Sequence, residues 1–243
     1  MEDKMVIYGD FGSHPDEDYL ALFDGHAGKE AAHYCAAHLH HHLETRLKQA
    51  KESVPSCIIE SFTDTHESMK TFTTDKGTPT EAGTTCLVGL FWKDELYIAN
   101  AGDSRAVLCK DRKGMVLTED HKPNSEKEKK RICAIEGGFV LKNRVQGKLA
   151  VARSIGDFKW NPYVSERPDV FGPFQWKDPA NEFLIMACDG LWDVVDENRA
   201  CQIVRKAKSP KDAAARLRDC AYNERSRDNI SVMVTWFPGF VPE

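Results

Sequence analysis

Three things are scarce in this 243-residue chain: paired cysteines, long apolar runs and a surplus of positive charge. Its cysteines are Cys35, Cys57, Cys86, Cys109, Cys133, Cys188, Cys201 and Cys220, and no two form a C-x-x-C pair. The usual signatures of a zinc site or a redox dithiol are therefore missing. Most of these residues sit inside apolar stretches, as reduced core thiols of a cytosolic protein do. No apolar run approaches the length of a membrane span, and the opening Met1-Glu2-Asp3-Lys4 has no apolar signal region. A soluble cytoplasmic or nuclear protein without a membrane partner is expected. Lys and Arg total 33 against 38 Asp and Glu, a formal net charge of −5, so a broad basic face for nucleic acid is not suggested. Internal repeats, low-complexity tracts and linkers are also absent. With 41% hydrophobic and 29% charged residues the composition is that of an ordinary globular protein, and one domain over residues 1–243 is expected.

What the chain does have is ordered apolar patterning. The run YLALF (19–23), followed by Asp24-Gly25, reads as a strand entering a turn. Over 28–50, Ala32, Cys35, Ala36, Leu39, Leu43 and Leu47 recur at helical spacing. Ser53 ahead of Val54-Pro55 resembles a helix start, continued on one face by Ile58, Ile59, Phe62, His66 and Met69. The polar stretch 71–82, with Gly77 and Pro79, reads as a loop. Three β-rich runs follow, 84–92, 95–100 and 105–109, and connections too short for a crossover helix predict an antiparallel meander. A charged helix is predicted over 123–135, closed by Gly137-Gly138, with its run 126–131 as a solvated face. Residues 137–173 mix short β runs with turns and look irregular. FLIMAC (183–188) reads as a strand buried on both faces. Two amphipathic helices over 196–207 and 210–223 and a closing strand over 230–236 complete the chain.

Five short acidic motifs are set among these elements: Met1-Glu2-Asp3, Asp24-Gly25-His26, Ala101-Gly102-Asp103-Ser104-Arg105, Asp189-Gly190-Leu191-Trp192-Asp193 and Arg227-Asp228-Asn229. Several place a carboxylate at the end of an apolar strand, where burial is costly unless the charge is paired or bound to a cation. Taken singly, each has a plainer reading. Asp24-Gly25 suits a turn, Asp103 a hairpin, Asp228 a turn or cap, and Glu2 with Asp3 terminal surface charge. Asp189 resists that reading best, because FLIMAC points it inward. Together they form an all-oxygen set without thiolates, which favours hard Mg²⁺ or Mn²⁺ over Zn²⁺. Two such ions activate a bound water and clamp the oxygens of an in-line displacement at phosphorus. Gly25 leaves its carbonyl open to a cation, and His26 beside it could protonate a leaving alkoxide. The chemistry implied is metal-assisted phosphate-ester hydrolysis. The stretch His38, His40, His41 and His42 is read as helical surface rather than a metal site, and Cys188 as an inert core thiol rather than a nucleophile.

The chain resembles the type 2C family of metal-dependent protein serine/threonine phosphatases. The resemblance rests on LFDGHAG (22–28), GTTCLVGLF (83–91), LYIANAGDSRAVL (96–108), DHKP (120–123), RICAIEGGFV (131–140), LAVARSIGDF (149–158), DGLWDV (189–194) and DNISVMV (228–234), in the family's order over nearly the whole length. It implies an α+β fold, an α/β sandwich of two antiparallel sheets flanked by helices, with a binuclear metal centre at one end. By position, Asp24 looks like the carboxylate bridging two Mg²⁺ or Mn²⁺ ions. Glu2 and the Gly25 carbonyl look like ligands of one ion, and Asp189 and Asp228 of the other. Asp103, helped by Asp193, matches a weaker third metal position. Asp3 would orient water, and His26 matches the proposed general acid. A mobile flap is implied within 137–168.

The resemblance implies phosphorylated protein substrates and hydrolysis by metal-activated water without a covalent phosphoenzyme. Substrate selectivity is assigned to loops and docking surfaces, and no oligomeric state is specified. Members usually carry a phosphate-gripping arginine a few residues before Met-Glu-Asp, which here lies at Met1. Weaker phosphate binding is the expectation, with Lys4, Arg105 or Arg153 as partial substitutes, and Glu2 is expected to fray. Two alternatives stand beside this reading. One is a binding protein that kept the fold and lost efficient catalysis, which would ordinarily have lost metal carboxylates. The other is a two-metal nuclease or phosphodiesterase, disfavoured by the acidic balance.

Overall fold

Alternation along the strands decides how the layers stack. In strand β2 (Tyr19–Phe23) every residue is buried, Leu20 and Leu22 on one face and Tyr19, Ala21 and Phe23 on the other. A strand covered on both faces needs an apolar layer on each side. The computed structural model, which describes residues 1–13, 15–49, 51–72, 78 and 80–243, supplies both. The first sheet orders β1 (Lys4–Tyr8), β2, β5 (Cys86–Trp92), β6 (Glu95–Ala101) and β12 (Asp169–Phe174), antiparallel throughout. The second orders β14 (Val232–Trp236), β13 (Asn181–Ala187), β7 (Arg105–Lys110) and β8 (Lys113–Val116), again antiparallel.

Leu20, Leu22, Leu87 and Ile98 of the first sheet meet Leu108, Leu184, Met186 and Met233 of the second in a core between the sheets. The outer face of the first sheet is covered by α1 (Glu30–Gln49) and α2 (Val54–Met69), through Leu39, Leu43, Ile58 and Phe62 against Ala21, Phe23 and Val88. The outer face of the second is covered by α5 (Glu197–Arg205) and α6 (Pro210–Asn223), through Ala200, Val204 and Leu217 against Val107 and Ile185. Each fully buried Leu, Ile or Phe contributes about 1.5–3 kcal/mol relative to exposure. Three apolar layers thus hold a helix–sheet–sheet–helix sandwich, the α+β architecture expected.

Several local expectations hold. Helix α2 starts where Ser53 Oγ accepts the Ser56 N–H, with Pro55 in its first turn. Others are corrected. The meander does not continue into its third run. The free side of β6 is taken by β12, so β7 leaves for the other sheet and pairs with β13 and β8. The charged helix α3 (Glu126–Cys133) begins later than residue 123, because Ser125 Oγ caps the Glu128 N–H at 3.4 Å. Its charged run is not wholly solvated, since Glu128 is buried between Arg131 and Arg153. Residues 137–173 do mix short strands with turns, as expected: they contain a hairpin, β9 (Val140–Leu141) with β10 (Arg144–Val145), as well as β12. Strand β1 went unpredicted. It is an edge strand with Met5, Ile7 and Tyr8 exposed, so no clean alternation marks it. Of the loop expected over 71–82, residues 73–77 and 79 lie outside the described residues, Gly77 and Pro79 among them, as does residue 50 at the end of the first predicted helix. No described helix is long and apolar enough to cross a membrane.

Candidate active site

Both central strands of the first sheet break at the same level. The Thr85 N–H donates to the Asp24 carbonyl at 2.9 Å, and the Asp24 N–H donates to Thr85 Oγ1 at 3.2 Å. Beyond this point the two chains continue as β3 (Gly25–His26) and β4 (Gly83–Thr84), joined by β11 (Ile155–Gly156) in the order β11-β4-β3. Asp24 sits at this break, between β2 and β3. The second sheet ends at the same place. After β13, Asp189 opens the four-residue helix α4 (Asp189–Trp192), and Gly190 packs so closely on the Asn229 carbonyl that a Cβ there would overlap it. That contact brings the 228–229 loop beside Asp189.

These strand ends and loops enclose a cavity of about 270 Å³ lined by Glu2, Asp24, Gly25, His26, Asp103, Asp189 and Asp228. Seven of the nine residues given a role from the sequence therefore share one cavity. Asp193 is not in its lining; it lies one turn along, where its N–H donates to the Asp189 carbonyl and its charge acts on Asp189 and Lys122. Glu2 is held against the expectation of fraying, because its N–H donates to Asn229 Oδ1 at 3.0 Å. Behind it Asp3 is buried, with Oδ2 accepting from the Ser231 hydroxyl at 2.6 Å and Oδ1 lacking a partner. Cys188 is a buried thiol whose pKa is pushed up by burial, as an inert core cysteine requires. The histidine-rich stretch stands apart on α1. His40 there is buried against Tyr8, ring centroids 4.5 Å apart, and not solvated as expected.

The electrostatics follow from crowding like charges in a half-buried space. Burial, then the charges of Asp3, Asp189, Asp103 and Asp228, push the Asp24 carboxyl up to about 9. Burial and Asp103 raise Asp189 to about 6, with Lys122 opposing. Burial also raises Asp103, although the Lys122 ammonium pulls it down. Lys122 Nζ sits 2.5 Å from Asp103 Oδ2 and 3.3 Å from Asp189 Oδ2. Burial disfavours its charge, but the surrounding carboxylates more than offset this and hold the ammonium above its usual range. For His26, burial disfavours the charged ring, yet the hydrogen bond and charge of Asp157 outweigh it and raise its pKa.

Four residues were missed: Thr85 and Arg144, which line the cavity, and Lys122 and Asp157, which bond residues that line it. Lys122 and Asp157 lie within DHKP and SIGDF, but nothing local says that those segments fold back to the carboxylates. Arg144, on β10, lines the cavity with Leu149, Ala150 and Val151. Of the substitutes expected for a phosphate-binding arginine, Lys4 is not in the cavity lining and the two arginines are otherwise engaged. Arg105 pairs with Asp120 and Glu197, and Arg153 with Glu128 and Asp169.

Among the described residues no three His, Cys, Asp or Glu side chains stand close enough to form a ready coordination group. The donor chemistry nonetheless fits hard divalent ions. The donors are all oxygen, the unpartnered Asp3 Oδ1 is a buried acceptor, and the mutual repulsion around Asp24 is what a cation relieves.

The comparisons with known proteins agree with this geometry. The family model described as Protein phosphatase 2C matches residues 1–230. The chain is 36% identical to Protein phosphatase 2C homolog 1 of Schizosaccharomyces pombe over 242 residues, covering 96% of this chain and 68% of that protein. It is 34% identical to Protein phosphatase 1A of Bos taurus over 241 residues, covering 90% of this chain and 62% of that protein. Among solved structures it is similar to a C. elegans sex determining protein, with TM-score 0.85 and 26% identity over 97% of this chain and 61% of that one. The sandwich, the acidic cavity at its end and these matches together mean that the chain belongs to the protein phosphatase 2C family, whose members are metal-dependent protein serine/threonine phosphatases.

Proposed function

We propose that residues 1–243 form one phosphatase domain that hydrolyses phosphoserine and phosphothreonine in proteins, using Mg²⁺ or Mn²⁺ at the acidic cavity. The observation that carries the reading is the convergence of Glu2, Asp24, Asp103, Asp189 and Asp228, from five separate stretches of chain, on one cavity with His26. Asp24 would be shared between two ions, with Glu2 and the Gly25 carbonyl on one side and Asp189 and Asp228 on the other. Asp103, assisted by Asp193, would hold a weaker third. When bound, these ions supply a water nucleophile at neutral pH and charge stabilisation at phosphorus.

The chain's own residues do the rest. Arg144 offers a guanidinium to the substrate phosphate. Lys122 neutralises part of the charge on Asp103 and Asp189. Leu149, Ala150 and Val151 form an apolar wall that limits water. His26 gives a proton to the leaving serine or threonine oxygen. Eight free cysteines, most of them buried, support work in a reducing compartment, the cytoplasm or nucleus. With the carboxylates all retained, no observation favours the non-catalytic alternative. The test is Mn²⁺-dependent turnover of a phosphopeptide by Asp189→Ala: turnover should fall to the level seen with EDTA, and full retained activity would overturn the reading.

A further inference from the structure

His26 is not free to swing in its cavity. Its Nε2 lies 2.6 Å from Asp157 Oδ2, and the Asp157 side chain is only 2% exposed. The same carboxylate oxygen accepts the Ser154 hydroxyl at 2.5 Å. The Asp157 N–H donates to the Ala82 carbonyl at 3.2 Å, and its backbone is held in the left-handed region at φ 53°. Such a conformation is uncommon for a residue other than glycine and needs surrounding structure to hold it.

The small sheet β11-β4-β3 explains how the pair is built. His26 is on β3, on one side of β4, and Asp157 follows β11 on the other side. In the register His26 faces Gly83, and Gly83 faces Gly156. The imidazole and the carboxylate therefore meet across the middle strand, over Gly83. A Cβ at Gly83 would collide with the Asp157 carboxylate and lie 2.5 Å from His26 Nε2. Glycine at 83 is what makes room for the contact.

We infer that Asp157 is a positioning residue for His26: it holds the ring with Nε2–H toward Asp157 and leaves Nδ1 as the nitrogen that serves the substrate. A carboxylate can only accept here, so the hydrogen of the neutral ring must be on Nε2. An imidazole bonded to a carboxylate through one nitrogen has its orientation and tautomer set for chemistry at the other. The role rests on the reading of His26 as proton donor. In that step Nδ1–H of the imidazolium passes its proton to the serine or threonine oxygen as the P–O bond breaks and that oxygen takes the bonding electron pair. Water supplies the new P–O bond. The ring is left neutral with Nε2–H still on Asp157, ready to be reprotonated from solvent at Nδ1.

The distinguishing property of a proton donor is its dependence on the leaving group. A serine alkoxide cannot leave without a proton, whereas p-nitrophenolate can. The experiment compares a phosphoserine peptide with p-nitrophenyl phosphate for the Mg²⁺-loaded wild type, His26→Ala, Asp157→Asn and the double variant. Asp157→Asn should keep KM for both substrates and lower kcat on the peptide by about 10–100-fold, the range seen when a carboxylate that orients a metal-bound histidine is removed. The loss on p-nitrophenyl phosphate should be much smaller. The double variant should be no worse than His26→Ala, because the two residues act as a unit. Nitrogen-15 spectra of histidine-labelled protein, taken above the imidazole titration range, should show His26 as the Nε2–H tautomer in the wild type and a mixture in Asp157→Asn. Equal losses on both substrates, additivity with His26→Ala, or an Nδ1–H tautomer in the wild type would each overturn the proposal. If His26→Ala itself does not discriminate between the leaving groups, the proton-donor reading falls and the positioning role falls with it. If His26→Ala discriminates and a folded Asp157→Asn does not, only the role of Asp157 is lost. Should Asp157→Asn fail to fold, Ser154→Ala carries the test, since it frees the carboxylate from its second donor. A smaller loss confined to the peptide supports the proposal, and unchanged kinetics on both substrates overturns it.

Discussion

At Asp24 the chain buries a carboxylate within the field of four others, Asp3, Asp189, Asp103 and Asp228, and its pKa rises to about 9. An acid whose pKa is higher folded than unfolded binds more protons in the native state. Without divalent ions, stability should therefore fall as pH rises from about 4, the ordinary carboxylate value, toward 9. Replacing this carboxylate by its neutral isostere removes the cost. Asp24→Asn should abolish metal-dependent turnover and raise the melting temperature of the EDTA-treated protein at neutral and mildly alkaline pH. The rise should be about 2–4 °C for each kcal/mol recovered. It should also flatten the decline of stability with pH, and melting curves across that range are the check. An unchanged or lower melting temperature would mean that the repulsion is relieved in some other way. The gain in stability and the loss of function would come from one atom substitution, as at other strained functional sites.

At the scale of elements, the hairpin β9–β10 carries a cationic group to a cavity otherwise lined by acids. The Arg144 guanidinium donates to the Lys148 carbonyl at 2.7 Å, which curls the hairpin's end toward Leu149, Ala150 and Val151. Its side chain is largely exposed, so removing it should disturb the fold little. Arg144→Ala should raise KM for a phosphopeptide by about 10-fold, the worth of one charge-assisted hydrogen bond of about 1.5 kcal/mol, with kcat less affected. Arg144→Lys should recover only part of this, since an ammonium cannot form the two-pronged contact. Steady-state kinetics on both variants decide the matter, and an unchanged KM would remove Arg144 from phosphate binding. Helix α3 has a supporting part here. Its Glu128 holds Arg153, which also bonds Asp169, and this ties the segment before β11 to the first sheet.

At the scale of the whole molecule, the cavity lies where the ends of both sheets meet. Asp24 follows a strand of the first sheet, Asp103 lies in the turn that passes from the first sheet to the second, and Asp189 and Asp228 flank strands of the second. A cation held by both sets joins the two sheets and stabilises only the folded state. At 100 times its dissociation constant a single ion contributes about 2.7 kcal/mol, which for a chain of this size corresponds to a rise of roughly 5–11 °C in melting temperature. Mg²⁺ or Mn²⁺ titrated into EDTA-treated protein should raise the melting temperature in a saturable way. The rise should be largely lost in Asp189→Ala. A melting temperature indifferent to both ions would argue against a cation shared by the two sheets.

The sequence by itself determined the elements and the identities of the acids. YLALF, FLIMAC and the helical stretches carry periodicities that local sterics and burial impose, so the strand β2, the strand β13 and the helices α1, α2, α5 and α6 were legible. Asp24 and Asp189 were legible as site residues because a carboxylate at the end of an apolar strand has no cheap resting place. Only the tertiary structure decided which strands pair. The course of β7 depends on β12 occupying the far edge of β6, a contact some 70 residues away that no local pattern encodes. The edge strand β1 was illegible for a different reason: its exposed residues Met5, Ile7 and Tyr8 are themselves apolar, so the alternation of a half-buried strand is missing. Tertiary structure also decided the partners of the acids. Lys122 reaches Asp103 and Asp189, Asp157 reaches His26 across Gly83, and Arg144 reaches the cavity, because separate loops converge at the ends of two stacked sheets. Residue type is written into the chain, but a hydrogen bond between positions 26 and 157 exists only once three strands are in register.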